Sequence, residues 1–432
     1  MQERNDVKVT VFEKSRRIGG RIKSINFGGI LVEVGGKDIH ESNLLMVQMG
    51  NQLGVPRRPK SRSKVAIWDG RQPLWQQSDS LWGFLDYFSV VWRYGLSVLW
   101  AERSANQYIR NFQKLYEDQG PWYSVKEFVR RYGLEKGMEV TFADHLVSLG
   151  CSDLYVDEIA NGISRAIYNQ NVSSMSMAAG MISLAGSQTD ELFGYYPNNE
   201  VFERIFSTSP STLHLGSEVL QIELSYEITT EILDDNISKE RLQEEIILHQ
   251  STASVYTITY KQEGIIYKED FDAVILATPL EHSNIKLIGV PSPPLREYVK
   301  VYVSFVHGIL NYNLFSVSEA ENYTTFLTTQ VFNNWTQLSI LHWNTNGSVV
   351  VKFFSVVPLT VPDLYSTFST IHNMKTHIIP AYPKLSPSTP VPHYILANNL
   401  FYLNAFESFI SVMEGAAVSA KNAINILTKE WT

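Results

Sequence analysis

The stretch VKVTVFEKSRRIGGR, Val7 to Arg21, constrains the fold more than any other part of the 432-residue chain. Alternating valines and Phe12 read as a β-strand, Glu13 closes it with a carboxylate, and a basic turn leads into Gly19 and Gly20. In dinucleotide-binding folds such a carboxylate ends the second strand and accepts hydrogen bonds from a ribose. A phosphate-cradling G-x-G-x-x-G lies about 20 residues earlier. Glu13 stands too near Met1 to leave room for that loop, so the ribose end of such a site is expected without its phosphate end.

The remainder of the chain is long enough for two domains, and a 44% hydrophobic content can fill their cores. A net charge of −8 and a pI near 5.7 argue against nucleic acid as a partner, because phosphate binding needs a concentrated basic face. The single cysteine, Cys151, excludes an internal disulfide, a C-x-x-C redox pair and a cysteine-based zinc site. No other metal-ligand spacing is present, and neither G-x-S-x-G nor paired carboxylates can be read. Met1 is followed by Gln-Glu-Arg-Asn-Asp, neither a signal peptide nor a transit peptide, so the chain as written is expected to be made in the cytosol. Glycosylation sequons stand at Asn171, Asn236, Asn322, Asn334 and Asn346, a number that this Asn-, Ser- and Thr-rich composition gives by chance.

Helical periodicity runs from Leu81 to about Gly186. Its first segment, LWGFLDYFSVVWRYGLSVLW, could span a bilayer by length but carries Asp86 and Arg93. It reads as a buried or groove-lining helix, with peripheral contact of one face with a membrane as the alternative. Near Leu213 the period becomes two, and LHLGSEVLQIEL, SVYTITYK and GIIYKEDFDAVILATPL read as three strands around a solvated insertion, Thr229 to Glu245. A β-rich aromatic block, Tyr298 to Val357, precedes a proline-spaced linker, AYPKLSPSTPVPHY, in which neither ladder nor helix is expected. One strand and one helix close the chain. The first strand, FDAVILATP and the terminal pair are expected to share one parallel sheet, AVILA being apolar enough for cover on both faces. The fold class is therefore α/β, a Rossmann-like nucleotide-binding domain (residues 1–60, 200–284 and 395–432) with a discontinuous α+β substrate domain (61–199 and 285–394).

Candidate site residues follow from that layout. Glu13 is a ribose acceptor or an exposed carboxylate before an ordinary turn. Gly19 and Gly20, then Gly35 and Gly36 in VEVGGKDIH, permit close backbone approach to a cofactor or simply make turns. His40 is a proton relay near the cofactor or a structural histidine. Ala277, Thr278 and Pro279 end a strand at the sheet edge where open α/β folds bind ligands. Glu414, Gly415, Ala416 and Ala417 begin a helix whose free N–H groups suit a pyrophosphate or a flavin carbonyl, or whose small side chains only pack.

Taken in order, the strand ending in Glu13, Gly19-Gly20-Arg21, Glu33-x-Gly35-Gly36, Ala277-Thr278-Pro279 and the terminal Glu-Gly-Ala helix resemble the flavin contacts of FAD-dependent amine oxidases. Within that superfamily VWRYGLSVL, SRAIYNQNVSSMSMAAGMISL, AYPKLSP and FYLNAFES are similar to the prenylcysteine oxidase, or farnesylcysteine lyase, family. The resemblance covers nearly the whole chain. It implies an FAD domain of the amine-oxidase/glutathione-reductase type whose first strand and glycine-rich loop are missing from this sequence. In the usual 3-2-1 order that strand is central, so its neighbours lose a pairing partner. Pro197 and Asn198 stand where the family has two glycines, and Ala405 stands where it has one.

The resemblance further implies an enzyme that oxidises the thioether of S-prenylcysteine with molecular oxygen, giving cysteine, a prenyl aldehyde and hydrogen peroxide, in a lysosomal, vacuolar or endomembrane compartment. Sulfur and the allylic double bond both stabilise the cation, so alignment and exclusion of competing water are the main demands and no strong base is required. The implied cofactor contacts are Glu13, Gly19, Gly20, Arg21, Gly35, Gly36, Val219, Thr278, Glu407, Met413 and Glu414. Trp82, Phe84, Phe88, Trp92 and Tyr168 are expected to line the prenyl slot, the aromatic helix serving equally as core. Arg165 and Glu414 are candidates for the amino-acid head. With no cysteine between Phe401 and Met413, FAD is expected to be held non-covalently. Alternatives are another FAD amine oxidase or desaturase, or a non-catalytic prenyl-binding product.

Overall fold

The computed structural model describes residues 7–59, 64–76, 90–118, 120–187, 192–195, 197–226, 254–315, 323–329 and 334–430. The strand Thr10–Glu13 forms as expected and pairs in parallel with Thr212–Leu215, Glu13 opposite Leu215. Beyond the Gly19-Gly20 turn, Ser24–Phe27 and Ile30–Glu33 make a hairpin. Its two turn residues are Gly28 and Gly29, both at positive φ (58° and 83°), the conformation a tight hairpin of right-handed twist requires.

The period-two region resolves into five strands rather than three. Gly216, at φ 68°, breaks the first segment, so Thr212–Leu215 stays with the amino-terminal strand while Ser217–Tyr226 joins a four-stranded sheet. There it lies between Ser254–Gln262 and Lys286–Ile288, with Ile265–Phe271 outermost. The solvated insertion and residues 77–89, which include Trp82, Phe84 and Phe88, lie outside the described residues.

The expectation of one shared parallel sheet is corrected. Val274–Leu276 and Leu400–Tyr402 do pair in parallel, but they form a separate three-stranded sheet with Ile395–Ala397 and do not join Thr10–Glu13. Among the described residues no strand bridges the two groups, and Ile275 is 36% exposed although its sequence suits a strand covered on both faces.

A further sheet has seven strands, in the order 368–383, 298–310, 349–355, 335–343, 323–328, 64–68 and 73–76. The linker reading is corrected at its start: Ala381 to Pro383 belong to the edge strand Phe368–Pro383. Prolines are tolerated there because an edge strand leaves one row of N–H groups unpaired. Helices Ser97–Gln113, Val125–Arg131, Phe142–Ser148, Asn161–Tyr168 and Met177–Ala185 share one hydrophobic core, and Asn161–Tyr168 meets the sheet at strands 323–328 and 335–343. Ser124, Thr141 and Ser176 cap three of them through N–H groups of Glu127, Asp144 and Ala179, a contribution of about 1 kcal/mol each. Their core is continuous with that of the carboxyl-terminal segment, where Trp122 and Phe128 pack on Phe406 with ring centroids 5.4 and 5.0 Å apart. Among the described residues no helix is long and apolar enough to cross a membrane.

Candidate functional site

A cavity of about 1850 Å³ runs between the nucleotide-side strands and the seven-stranded sheet. It exceeds the roughly 300–1,000 Å³ typical of one small ligand, leaving room for a dinucleotide and a second molecule. Glu13, Gly19, Gly20, Arg21, Gly35, Gly36, Thr278, Glu407 and Met413 all line it, so residues up to 400 positions apart share one wall. Ala277, Pro279, Gly415, Ala416 and Ala417 line it too.

The nucleotide end has the chemistry a ribose and a flavin need. One oxygen of Glu13 accepts the Ser15 N–H at 2.7 Å, and the other makes no hydrogen bond with a described residue. Gly35 lies against the backbone, where a Cβ would meet the Arg21 carbonyl oxygen at 1.7 Å. Gly36 faces Ile22 and Met413, with a Cβ 3.4 to 3.5 Å from each. Arg21 pairs with Glu407 and donates to the Ala381 carbonyl, while Glu407 also accepts from Tyr298 Oη and Asn404 Nδ2, each at 2.9 Å. The helix Met413–Glu430 presents its first turn to the same wall. These residues fit the ribose and flavin portions of a dinucleotide. A glycine-rich pyrophosphate turn is not found among the described residues.

Asn198, treated in the sequence as a departure from a glycine pair, is a strut. Its Nδ2 donates to the carbonyls of Gly36 (3.1 Å) and Lys37 (2.6 Å), its Oδ1 accepts the Tyr195 N–H, and its own N–H meets the Glu33 carboxylate. Its φ of −65° needs no glycine. An asparagine after a proline is a weak signal, because its partners Glu33, Gly36 and Lys37 are more than 160 residues away.

Several candidates lie elsewhere. Glu414 is 1% exposed, and its carboxylate accepts the N–H groups of Leu45 and Met46 (2.9 and 3.0 Å) and the Tyr116 hydroxyl (2.6 Å), securing the start of helix Leu44–Gln52. Burial raises its pKa above the ordinary carboxylate value against the pull of those bonds. His40 Nδ1 meets Ser42, and Arg165 donates to the Thr328 carbonyl and Asn171; neither lines the cavity. Val219 is half-buried opposite Tyr260 and also stands off the lining. Trp92 is 82% exposed. Tyr168 does line the cavity, fully buried, and its hydroxyl has no hydrogen-bond partner of normal geometry among the described residues.

The far end is apolar, formed by Ile163 and Ile167 of helix Asn161–Tyr168 and by Ile67, Leu327, Leu341 and Phe354 of the sheet. One charge interrupts it. Lys352 is 5% exposed, donates from Nζ to the Glu33 carbonyl at 2.7 Å and lies 4.4 Å from the Phe354 ring centroid. Desolvation, with a smaller repulsion from Lys37, pushes its pKa down to about 7. The sequence signal was a lone lysine inside VVVKFFS, a strand otherwise apolar but for its last residue.

A Rossmann-like nucleotide end opening into an apolar chamber beneath a large mixed sheet is the architecture of the amine oxidases. Wild-type putrescine oxidase with bound putrescine superposes with a TM-score of 0.60 at 11% identity, over 99% of this chain and 95% of that one. Cyclohexylamine oxidase from Brevibacterium oxydans gives 0.58 at 13%, over 99% and 94%. Residues 1–49 match the family model of an NAD(P)-binding Rossmann-like domain, and residues 77–432 match that of prenylcysteine lyase. The chain belongs to the prenylcysteine lyase family. It is 26% identical to a Bos taurus protein named prenylcysteine oxidase 1-like, over 98% of this chain and 86% of the relative. Homo sapiens prenylcysteine oxidase 1 is 27% identical (99% and 84%) and Arabidopsis thaliana farnesylcysteine lyase 26% (99% and 83%).

Proposed function

We propose that this protein is an FAD-dependent thioether oxidase that cleaves S-prenylcysteine to cysteine, a prenyl aldehyde and hydrogen peroxide. The carrying observation is one continuous cavity with a nucleotide-type wall at Glu13, Gly36 and Met413 and an apolar slot at Ile163, Leu341 and Phe354. Family membership gives the substrate class. Residues 1–60, 200–284 and 395–432 form the cofactor part in this reading, and 61–199 with 285–394 form the substrate part.

FAD, when bound, accepts a hydride from the carbon beside sulfur and passes the electrons to oxygen. The protein's part is to hold and to exclude. Glu13 offers its unengaged oxygen to ribose hydroxyls, Gly35 and Gly36 let backbone approach the flavin, and the Arg21–Glu407 pair stiffens the wall behind it. The apolar slot holds the prenyl chain and fixes its allylic carbon, where alignment outweighs any single acid or base. The only cysteine, Cys151, is buried beside Ser97 in the helical layer, so FAD is held without a cysteinyl linkage.

The test offers S-farnesylcysteine in air to the full chain supplied with FAD. Farnesal, free cysteine and peroxide are expected in equal amounts, and acid-denatured protein should release all of its flavin. Turnover of amines with none of S-farnesylcysteine would overturn the reading.

A further inference from the structure

The polar groups on the floor of the apolar slot are the ones the proposed reaction leaves unexplained. Ser339 stands directly opposite Lys352 in the ladder, and such cross-strand neighbours project from the same face. Gln337, two residues before Ser339, donates to the Ser339 hydroxyl at 2.8 Å, and Thr325 on the next strand lies 3.4 Å from that hydroxyl. All four line the cavity. They form a polar strip across a surface otherwise made of Val303, Phe354, Leu341, Leu327 and Ile67.

Lys352 is the unusual member. A lysine has three N–H donors, and among the described residues this one gives a single hydrogen bond, to the carbonyl of Glu33, two residues before Gly35. No carboxylate of a described residue pairs with it, and Phe305 and Phe354 flank it with ring centroids 5.9 and 4.4 Å from Nζ. The charged groups that act on it are Lys37, Asp38 and Glu33. Leaving a buried amine this poorly matched is costly unless a ligand or water completes it. A site for one water needs about two to four polar partners, and Lys352, Ser339 and Gln337 are polar groups that share this face of the sheet and line the cavity.

We propose that Lys352, with Ser339 and Gln337, holds the water that adds to the oxidised thioether carbon and serves as the acid–base group for carbon–sulfur cleavage. This rests on the thioether-oxidase reading. Once the hydride has left, water forms a C–O bond to the cationic carbon and gives one proton to the neutral Nζ. The hemithioacetal then collapses: the C–S bond breaks, the ammonium returns that proton to sulfur, and the carbonyl forms as the hydroxyl proton passes to Nζ and on to solvent. The products are an aldehyde, a thiol and one proton, which balances the positive charge of the cation. A depressed pKa suits the role, since proton transfer is most efficient when the group titrates near the working pH.

The test combines a titration with kinetics on the full chain. Lysines are reductively methylated with ¹³C, and the Lys352 resonance, identified by its loss in Lys352→Met, is followed by NMR without substrate. An inflection near the depressed value supports the proposal, and an ordinary lysine inflection overturns it. In rapid mixing with FAD and S-farnesylcysteine, Lys352→Met and Lys352→Gln should bleach the flavin at close to the wild-type rate. Release of farnesal and thiol should slow about 100-fold and lose its rise through neutral pH. A raised KM with unchanged kcat would mean that Lys352 anchors the substrate carboxylate, and would overturn the proposal. So would wild-type behaviour of both variants. A wild type that releases no farnesal at all would instead sink the thioether-oxidase reading, and the lysine mechanism with it.

Discussion

The guanidinium of Arg21 and the carboxylate of Glu407, 386 residues apart, pair end-on through both Nη atoms in the cavity wall and join the first glycine turn to the segment before the last helix. Glu407 is 9% exposed and Arg21 34%, so solvent weakens the pair only from one side. Glu407→Gln keeps the shape and removes the charge. The variant should lose about 1–2 kcal/mol in a denaturant titration and bind FAD about tenfold more weakly, measured by quenching of flavin fluorescence.

A second ion pair tests the fold behind the same wall. Arg296 and Glu281, with side chains 0% and 5% exposed, meet at 2.7 Å, and Arg296 also donates to the Asn404 carbonyl, Ser408 and Tyr402. Removing one partner strands a buried charge. Arg296→Met should cost about 3–5 kcal/mol, visible in the thermal melt, and a loss below 1 kcal/mol would contradict the burial described.

The second glycine pair separates structural from ligand-directed effects. At Gly35 an added methyl collides with the Arg21 backbone carbonyl, whereas at Gly36 it meets Ile22 and the flexible Met413 side chain at ordinary contact distance. Gly35→Ala should destabilise the protein by about 3 kcal/mol or more. Gly36→Ala should change stability by less than about 1 kcal/mol and still weaken FAD binding, because the methyl enters the cavity.

Lys352 also makes stability depend on pH. Its folded pKa of about 7 lies well below the ordinary lysine value, so between the two the unfolded chain binds more protons. Stability therefore rises with pH across that window, by at most about 1.4 kcal/mol per unit. Lys352→Met should be more stable than wild type near neutrality, and the difference should shrink towards pH 10 in urea titrations.

Slot length can be probed at Leu341, which lines the apolar end. Leu341→Trp should raise KM for S-geranylgeranylcysteine about tenfold while changing that for a shorter prenyl group less, in a peroxide-coupled assay. An equal rise for both would place the prenyl chain elsewhere.

The Gly19-Gly20 turn, the strand ending in Glu13 and the helical run up to Gly186 were legible in the chain because each depends on neighbours in sequence. Gly19, Gly28 and Gly29 adopt backbone angles that other residues resist, and Ser124, Thr141 and Ser176 bond N–H groups three residues on. Glu414 shows where such reading ends. Its place at a helix start suggested an anion site or a substrate contact, yet its partners, Leu45, Met46 and Tyr116, are about 300 or more residues away.

Local residue chemistry thus set the first strand and the glycine turn after it, and the motif order identified a nucleotide-binding chain. Which polar groups meet was left to packing: strand register put Lys352 opposite Ser339, and the fold brought Lys352 to the Glu33 carbonyl. The reason is electrostatic as much as geometric. A lysine's charge and basicity depend on how much water and how many opposite charges surround it, and those are properties of a folded environment assembled from distant segments.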